Sequence, residues 1–391
     1  MMKKTMILLL LAATATLLPA QRVELADGQA YTIQHRLADG QGFTITLGDE
    51  VVGYSDQGAL EADDLPPALT ELLEQLSVEQ QLVRKGRAQR HVPRRAAAVA
   101  PMLTTRWGQR MPYNLMCPEY AEGSHCATGC LAVAMAQVLK YWAADIPTTD
   151  IPAYTTETLG INMPALPATS FNYSIINDAY EDPFDRSEST WEVARLMLYC
   201  GQASQMDYDI SSGAYTMGRY LSDYFGFSSE YTDKDHWTHL IDWEDYIYEE
   251  MAAGRPVIYS GKKMSGAGHV FVVDGYENGY FHINWGWNGS DNGFFKLTLA
   301  NPDDPDSAYL WEGYRWLQMA VVGLQPDPTA TGITALPAVS STSETSLLGS
   351  STADYDSAKA HSAPRFDLQG RRVIHPRAHG LYISNGKKVR K

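Results

Sequence analysis

Cysteine is scarce in this chain: four in 391 residues, at Cys117, Cys126, Cys130 and Cys200. That is too few for the disulfide framework of a small secreted scaffold, and a chain this long can bury a core without staples. Cys126 and Cys130 lack a second pair at zinc spacing, so no metal site is expected. Positive charge is also short: 31 Lys and Arg against 46 Asp and Glu, a net charge of −15. An acidic chain is a poor partner for nucleic acid. After the first 20 residues no apolar run approaches the length of a membrane span. Repeats of solenoid length are missing too. Core material, by contrast, is plentiful, with 45% hydrophobic residues and 23 Tyr, and the length suits two or three domains.

The one long apolar run is N-terminal. Lys3 and Lys4 precede an apolar stretch from Met6 to Leu18, and Pro19-Ala20 precedes Gln21. This is the pattern of a secretory signal peptide, so residues 1–20 are expected to be removed on export. Residues 21–98 divide in two. Strand-like alternation at 31–35, 43–47 and 51–54 is followed by a helical pattern opened by Pro66, with Leu69, Leu72, Leu73 and Leu76 on one face. This small unit is expected to carry a core of its own. Arg84, Lys85, Arg87, Arg90, Arg94 and Arg95 then fall in a stretch without acidic residues, as expected of an exposed, cleavable linker. From 99 to 327, helical patterns at 130–140, 190–200, 215–224 and 243–253 give way to strands at 256–260, 269–274, 279–285, 293–299 and 319–324. Helices first and antiparallel strands later indicate an α+β fold. Residues 328–362 read as a Ser/Thr-rich linker, and 363–391 as a few short strands with Gly turns.

Two distant stretches carry chemistry. Gly129-Cys130 opens the apolar helix Leu131 to Lys140, and Gly268-His269 heads the strand Val270 to Asp274. A cysteine at a helix start is favoured as thiolate by free N–H groups and the macrodipole. A histidine facing it would complete the arrangement of a papain-like thiol hydrolase. Cys126 competes with Cys130 for the nucleophile's role within the same motif. His282 alternates with apolar neighbours and reads as a packing residue, and His125 as a loop residue.

These stretches match a family. Pro112-Tyr113-Asn114-Leu115, Ala127-Thr128-Gly129-Cys130, Met206-Asp207-Tyr208, Ser211-Ser212-Gly213, Gly268-His269-Val270-Phe271 and Asn284-Trp285-Gly286-Trp287 resemble the streptopain family of papain-like cysteine peptidases. Residues 22–80 are similar, more weakly, to that family's inhibitory propeptide. The tail resembles C-terminal sorting segments of the Bacteroidetes type IX pathway, which points to interpain-like enzymes. The resemblance implies a papain-like catalytic domain at 99–327, an inhibitory propeptide and processing linker at 21–98, and an exported endopeptidase acting on protein or peptide substrates. Its own propeptide would be an intramolecular inhibitor. No metal or organic cofactor is implied. The same dyad also serves acyltransferases and transglutaminases, and an inactive binding homologue would have lost Cys130, His269 or Gln109.

The resemblance assigns Cys130 as nucleophile, His269 as base and acid, and Gln109 as oxyanion donor beside the Cys130 N–H. Without it, Gln109 reads as an ordinary loop residue. The imidazole could be oriented by packing of Trp285, by a carbonyl, or by Asn284, and the sequence leaves these open. Trp287 would wall the cleft. Gly268 and Ala214 resemble substrate-binding positions. Ala214 stands where the family has Ser, which is harmless if only the backbone is used.

Overall fold

In the computed structural model, residues 20–331 are described except 26–27, 37–40, 59, 63–64, 94–95, 215–216, 234–239, 263–267 and 302–315. In the tail, 365–366, 381–384 and 387–390 are described. Residues 1–19 of the signal peptide expected at 1–20, the Gly266-Ala267 approach to His269 and most of the linker after 331 lie outside these residues.

Alternating apolar residues make the middle layer. Ten antiparallel strands run in the order Gln21–Glu24, Ala30–His35, Phe43–Leu47, Glu50–Ser55, Gly293–Phe295, Tyr280–Asn284, Gly268–Glu277, Val257–Lys262, Trp316–Pro326 and Phe227–Asp233. Successive side chains on a strand point to opposite faces, and the two cores divide by that rule. Ile258, Val272, Met319 and Val321 join the core formed with α2 (Cys130–Trp142) and α3 (Glu188–Ala203). Val257, Tyr259, Phe271, Val273, Ala320 and Val322 join the other, with α1 (Pro67–Arg84) and α5 (Leu240–Ala252). The Ser187 side chain caps α3 by accepting from Thr190 N. Of the helix expected at 215–224, the described residues form the short α4 (Tyr220–Tyr224). Among the described residues no helix is long and apolar enough to cross a membrane.

The N-terminal segment does not keep a core to itself. Its four strands extend the same sheet, through Tyr54 paired with Phe294 and Gly53 with Phe295. Tyr54 stacks on Phe294 at 5.4 Å and donates to Glu277 Oε2 at 2.9 Å. The leucines expected on one helix face are buried with Phe271, Trp285 and Phe295, each burial contributing about 2 kcal/mol. The physical reason is size: a four-stranded sheet and one helix leave an apolar face that only the larger sheet can cover. A polar anchor sits at the end of α1. The fully buried Glu79 carboxylate accepts from Thr298 Oγ1 at 2.8 Å, Leu299 N, and Ala300 N at 3.1 Å. Gln75 donates to Leu297 O at 3.2 Å. The linker continues the contact: Gln89–Arg90 pairs with Ala300–Asn301, and His91 meets Glu244 at 2.8 Å in a buried pair.

The tail is a separate compact unit beginning at Ala335. Its described strands, Arg365–Phe366, Leu381–Ser384 and Lys387–Arg390, form one antiparallel sheet.

Replacing Glu79 leaves four buried donors without their carboxylate, since Gln75 Nε2 also donates to its Oε1 at 2.9 Å. In a Cys130→Ala full-length background, Glu79→Ala is expected to lower stability by roughly 2–3 kcal/mol. Urea unfolding followed by intrinsic fluorescence measures this. An unchanged midpoint would show that the anchor contributes nothing.

Candidate active site

Cys130 is the first residue of α2, and what precedes it explains its exposure to helix N–H groups. Gly129 is the N-cap residue, at φ 83°, and no side chain caps the helix. The positive φ favours glycine, and an added Cβ would sit 2.4 Å from Met206 Sδ. The loop before it is clamped by its backbone. Cys126 N donates to Pro118 O at 2.8 Å, Ala127 N to Asp209 O at 3.0 Å and Thr128 N to Gln109 O at 3.1 Å. Asn114 Nδ2 donates to Cys126 O at 2.9 Å.

His269 comes from the adjacent edge of the sheet layer, near the start of strand Gly268–Glu277. Its Nε2–H donates to the Trp285 carbonyl at 2.9 Å. That acceptor fixes the proton on Nε2 and leaves Nδ1 for the sulfur. The ring stacks against Trp287, 5.5 Å away and 20° from parallel, and is flanked by Phe271 and Trp285.

The two groups support each other's charge. Burial opposes ionisation of the Cys130 thiol. The neighbouring His269 imidazolium, its hydrogen bond to sulfur, and the Val270 and Leu131 N–H groups reverse this, so the thiol lies below the ordinary cysteine value. Burial likewise opposes a charged His269. The Cys130 thiolate, their hydrogen bond and the Trp285 carbonyl overcome it, with Glu71 of α1 adding to the same side, so the ring lies above the ordinary histidine value. Both shifts have the sign of a thiolate–imidazolium pair. The other cysteines differ. Burial, with Asp209 adding, pushes Cys126 up to about 11, and burial pushes Cys117 and Cys200 up as well.

The sequence candidates divide accordingly. Cys130, His269, Gly268 and Ala214 line one cavity of about 330 Å³, with Leu131, Met217 and Val270. Gln109 lies beside the cysteine loop through its carbonyl, half-buried, and its side-chain amide makes no hydrogen bond among the described residues. Trp287 packs on the histidine. Trp285 acts on the ring through its carbonyl as well as its indole. Asn284, expected as a possible partner of the imidazole, makes none of its hydrogen bonds to His269. Its Nδ2 donates to Thr105 O at 2.8 Å, and its Oδ1 accepts from Gln137 Nε2 at 3.3 Å and Gly286 N at 3.2 Å. The reason is strand alternation: consecutive residues cannot face the same way, and Asn284 is turned toward α2. His282 pairs with Asp274, and His125 with the Cys117 carbonyl.

Asn284 therefore holds the turn that presents the Trp285 carbonyl. Gly286, at φ 74°, completes that turn. Gln137 and Thr105 were missed by sequence reasoning. Thr105 Oγ1 donates to Gln137 Oε1 at 2.9 Å, and all three side chains are buried. The available signal was an uncharged polar residue inside the apolar run 131–139, two turns after Cys130 on the same face. This network ties α2, the segment leading to Gln109 and the Trp285 turn together. Gln137→Leu is expected to lower kcat on the order of tenfold to a hundredfold, with a smaller change in KM, because the imidazole loses its fixed acceptor. Steady-state kinetics on a peptide substrate test this. An unchanged kcat in folded protein would show that the network does not position the site.

Comparison with known proteins matches this geometry to a family. The model of the Peptidase C10 family matches residues 107–295. Streptopain of Streptococcus pyogenes is 30% identical over 328 aligned residues, covering 73% of this chain and 78% of streptopain. The thiol protease/hemagglutinin PrtT of Porphyromonas gingivalis is 30% identical over 340, covering 76% of this chain and 37% of PrtT. Among solved structures, a prointerpain A fragment of Prevotella intermedia superposes with a TM-score of 0.63 at 31% identity, covering 78% of this chain and 98% of the fragment. Active interpain A gives 0.51 at 33% identity, covering 60% and 99%. The fold is that of a papain-like cysteine protease, and the chain belongs to the peptidase C10 family as a cysteine peptidase made in zymogen form.

Proposed function

We propose that this chain is the exported, self-maturing precursor of an endopeptidase working through a Cys130–His269 dyad. The observation that carries this reading is the mutual charge support of the two groups at the N-terminus of α2, with the Trp285 carbonyl holding the ring. The Cys130 thiolate attacks the carbonyl carbon of the scissile peptide. Gln109 and the Cys130 N–H hold the developing oxyanion. The protonated Nδ1 of His269 gives its proton to the departing amine, leaving a thioester on Cys130. Neutral His269 then takes a proton from water, hydroxide attacks the thioester, and Nδ1 returns the proton to the leaving sulfur or shares it within the restored ion pair. Gly268 and Ala214 present backbone to the substrate, and Trp287 shields the imidazole.

The remaining parts of the chain fit maturation and export. Residues 1–20 direct secretion, 21–98 inhibit in cis and are cut away at the basic linker, and 363–391 address the protein to an outer-membrane exporter. The first cut is made largely by the enzyme itself.

Casein hydrolysis under reducing conditions tests the assignment. Cys130→Ala is expected to lower the rate by several orders of magnitude and to accumulate with residues 21–98 attached, whereas Cys126→Ala retains most activity. A dead Cys126→Ala and an active Cys130→Ala would reverse the assignment, and amide cross-links in place of released peptides would identify a transferase. Truncation at about residue 328 is expected to leave the protein in the periplasm, active once purified and processed. Loss of activity there would place the tail in the catalytic fold.

The pH dependence has a fixed sign. Thiolate forms as pH rises through the lowered Cys130 value, and the proton donor is lost as pH rises further through the raised His269 value. Cleavage is therefore expected to rise and then fall across that window. In His269→Ala, burial acts on the thiol without its main opponent, so the onset of alkylation by iodoacetamide shifts to higher pH. An onset that does not move would contradict the pair.

A further inference from the structure

The cavity that holds Cys130 and His269 is not uniform. Leu131, Ala214, Met217 and Val270 make part of its wall apolar, and Thr158, Asp207, Asp209, Ser211 and Ser212 make the rest polar. Apart from His269, none of its lining residues is basic. Two carboxylates thus stand in the cleft without a counter-cation among the described lining residues.

They are not equivalent. Asp207 is occupied: it accepts from Glu157 N at 2.9 Å, Thr158 N at 3.0 Å and Thr158 Oγ1 at 2.6 Å. Asp209 is fixed by its backbone and left open at its side chain. Its carbonyl accepts from Ala127 N at 3.0 Å, three residues before Cys130. Its N–H donates to Ser212 Oγ at 2.9 Å. Of its carboxylate oxygens, Oδ1 accepts only from the next residue's N–H, Ile210 N at 2.6 Å. Oδ2 has no partner, and Asp209 makes no ion pair, among the described residues. The carboxylate is half-buried, so its charge is screened less than a fully exposed one. It also lies close enough to Cys126 to disfavour that thiolate, more strongly than Arg110 on the same side favours it, which places its charge on the nucleophile-loop side of the cleft.

We propose that Asp209 is a specificity-determining residue that selects lysine or arginine at the substrate residue whose carbonyl Cys130 attacks. A carbonyl carbon at the sulfur puts that residue's side chain beside the Cys126–Gly129 loop, where Asp209 stands. The apolar wall at Ala214, Met217 and Val270 is left for a neighbouring side chain. The chain's own linker has the matching composition. Arg84, Lys85, Arg87, Arg90, Arg94 and Arg95 occur there with no acidic residue among them; Arg84 closes α1 and Arg90 pairs with Glu50 at 2.8 Å, while Val92, Ala97 and Ala98 in the same stretch are exposed. An acidic cleft and a basic tether make the precursor a substrate for its own mature form.

This inference rests on the peptidase reading, and its test separates the two. Peptides sharing one apolar residue, followed by Lys, Arg, norleucine, Gln or Glu at the scissile position, are offered to the full chain after maturation, together with a synthetic peptide of residues 84–98. Active enzyme is counted by alkylation of Cys130. In the wild type, kcat/KM for Lys and Arg is expected to exceed that for norleucine by about five- to tenfold. The gap narrows as salt rises, and the 84–98 peptide is cut after a basic residue. In Asp209→Asn the ratio falls toward one, and in Asp209→Lys the preference moves to Glu. A wild type indifferent to charge, or a preference that survives Asp209→Asn, overturns the proposal. If Asp209→Asn fails to fold, the inversion in Asp209→Lys and the salt dependence of the wild type decide the question. Cleavage of none of the peptides by any form would instead sink the peptidase reading itself.

Discussion

A thiolate and an imidazolium can stand side by side in a half-buried site only if each has partners that replace water. That requirement organises the centre of this molecule. The sulfur has the Leu131 N–H of α2, the Val270 N–H of the histidine strand and His269, and the ring has the sulfur on one nitrogen and a backbone carbonyl on the other. Burial alone would drive both groups neutral. The pair survives because its supports come from rigid elements: the first turn of α2, the histidine strand and the turn at Trp285. The Asn284–Gln137–Thr105 network fixes the distance between them. Positioning of this kind is a matter of tenths of an ångström, which side chains on loops alone would not hold.

The N-terminal segment uses the same sheet for a different purpose. Its strands add to the edge at Gly293–Phe295 and α1 covers the face opposite α2. None of its described residues lines the cavity of Cys130 and His269. Its nearest electrostatic reach into the site is Glu71, which favours charge on His269. Among the described residues the contact is a shared core and a shared sheet, with Glu79 and the His91–Glu244 pair as its buried polar fastenings. Removing such a segment exposes a sheet edge and an apolar face together, so its docking is bound to the stability of the catalytic half.

Much of this was legible in the sequence because local chemistry forces it. The strand at 269–274 follows from a short continuous run of β-branched and aromatic residues, the one at 279–285 from alternation, and α2 from an apolar run after a glycine. The cysteine and histidine stood out by position, at a helix start and a strand start. The shared core was not legible, since leucines on one face of α1 say that a partner exists but not which sheet supplies it. The role of Asn284 was misleading for a related reason. A polar residue next to Trp285 can serve the ring or the turn, and only the strand's alternation decides. Gln137 and Asp209 were readable as residue types, but their meaning depends on which distant segments fold against them.

The central claim is that Cys130, held as a thiolate by His269, is the atom that takes the acyl group. Rapid acid quenching of the matured chain during turnover of an activated peptide ester, followed by peptide mapping by mass spectrometry, tests it most directly. The account predicts an acyl adduct on Cys130, lost in His269→Ala. An adduct on Cys126, or one on Cys130 that forms equally well without His269, would contradict it.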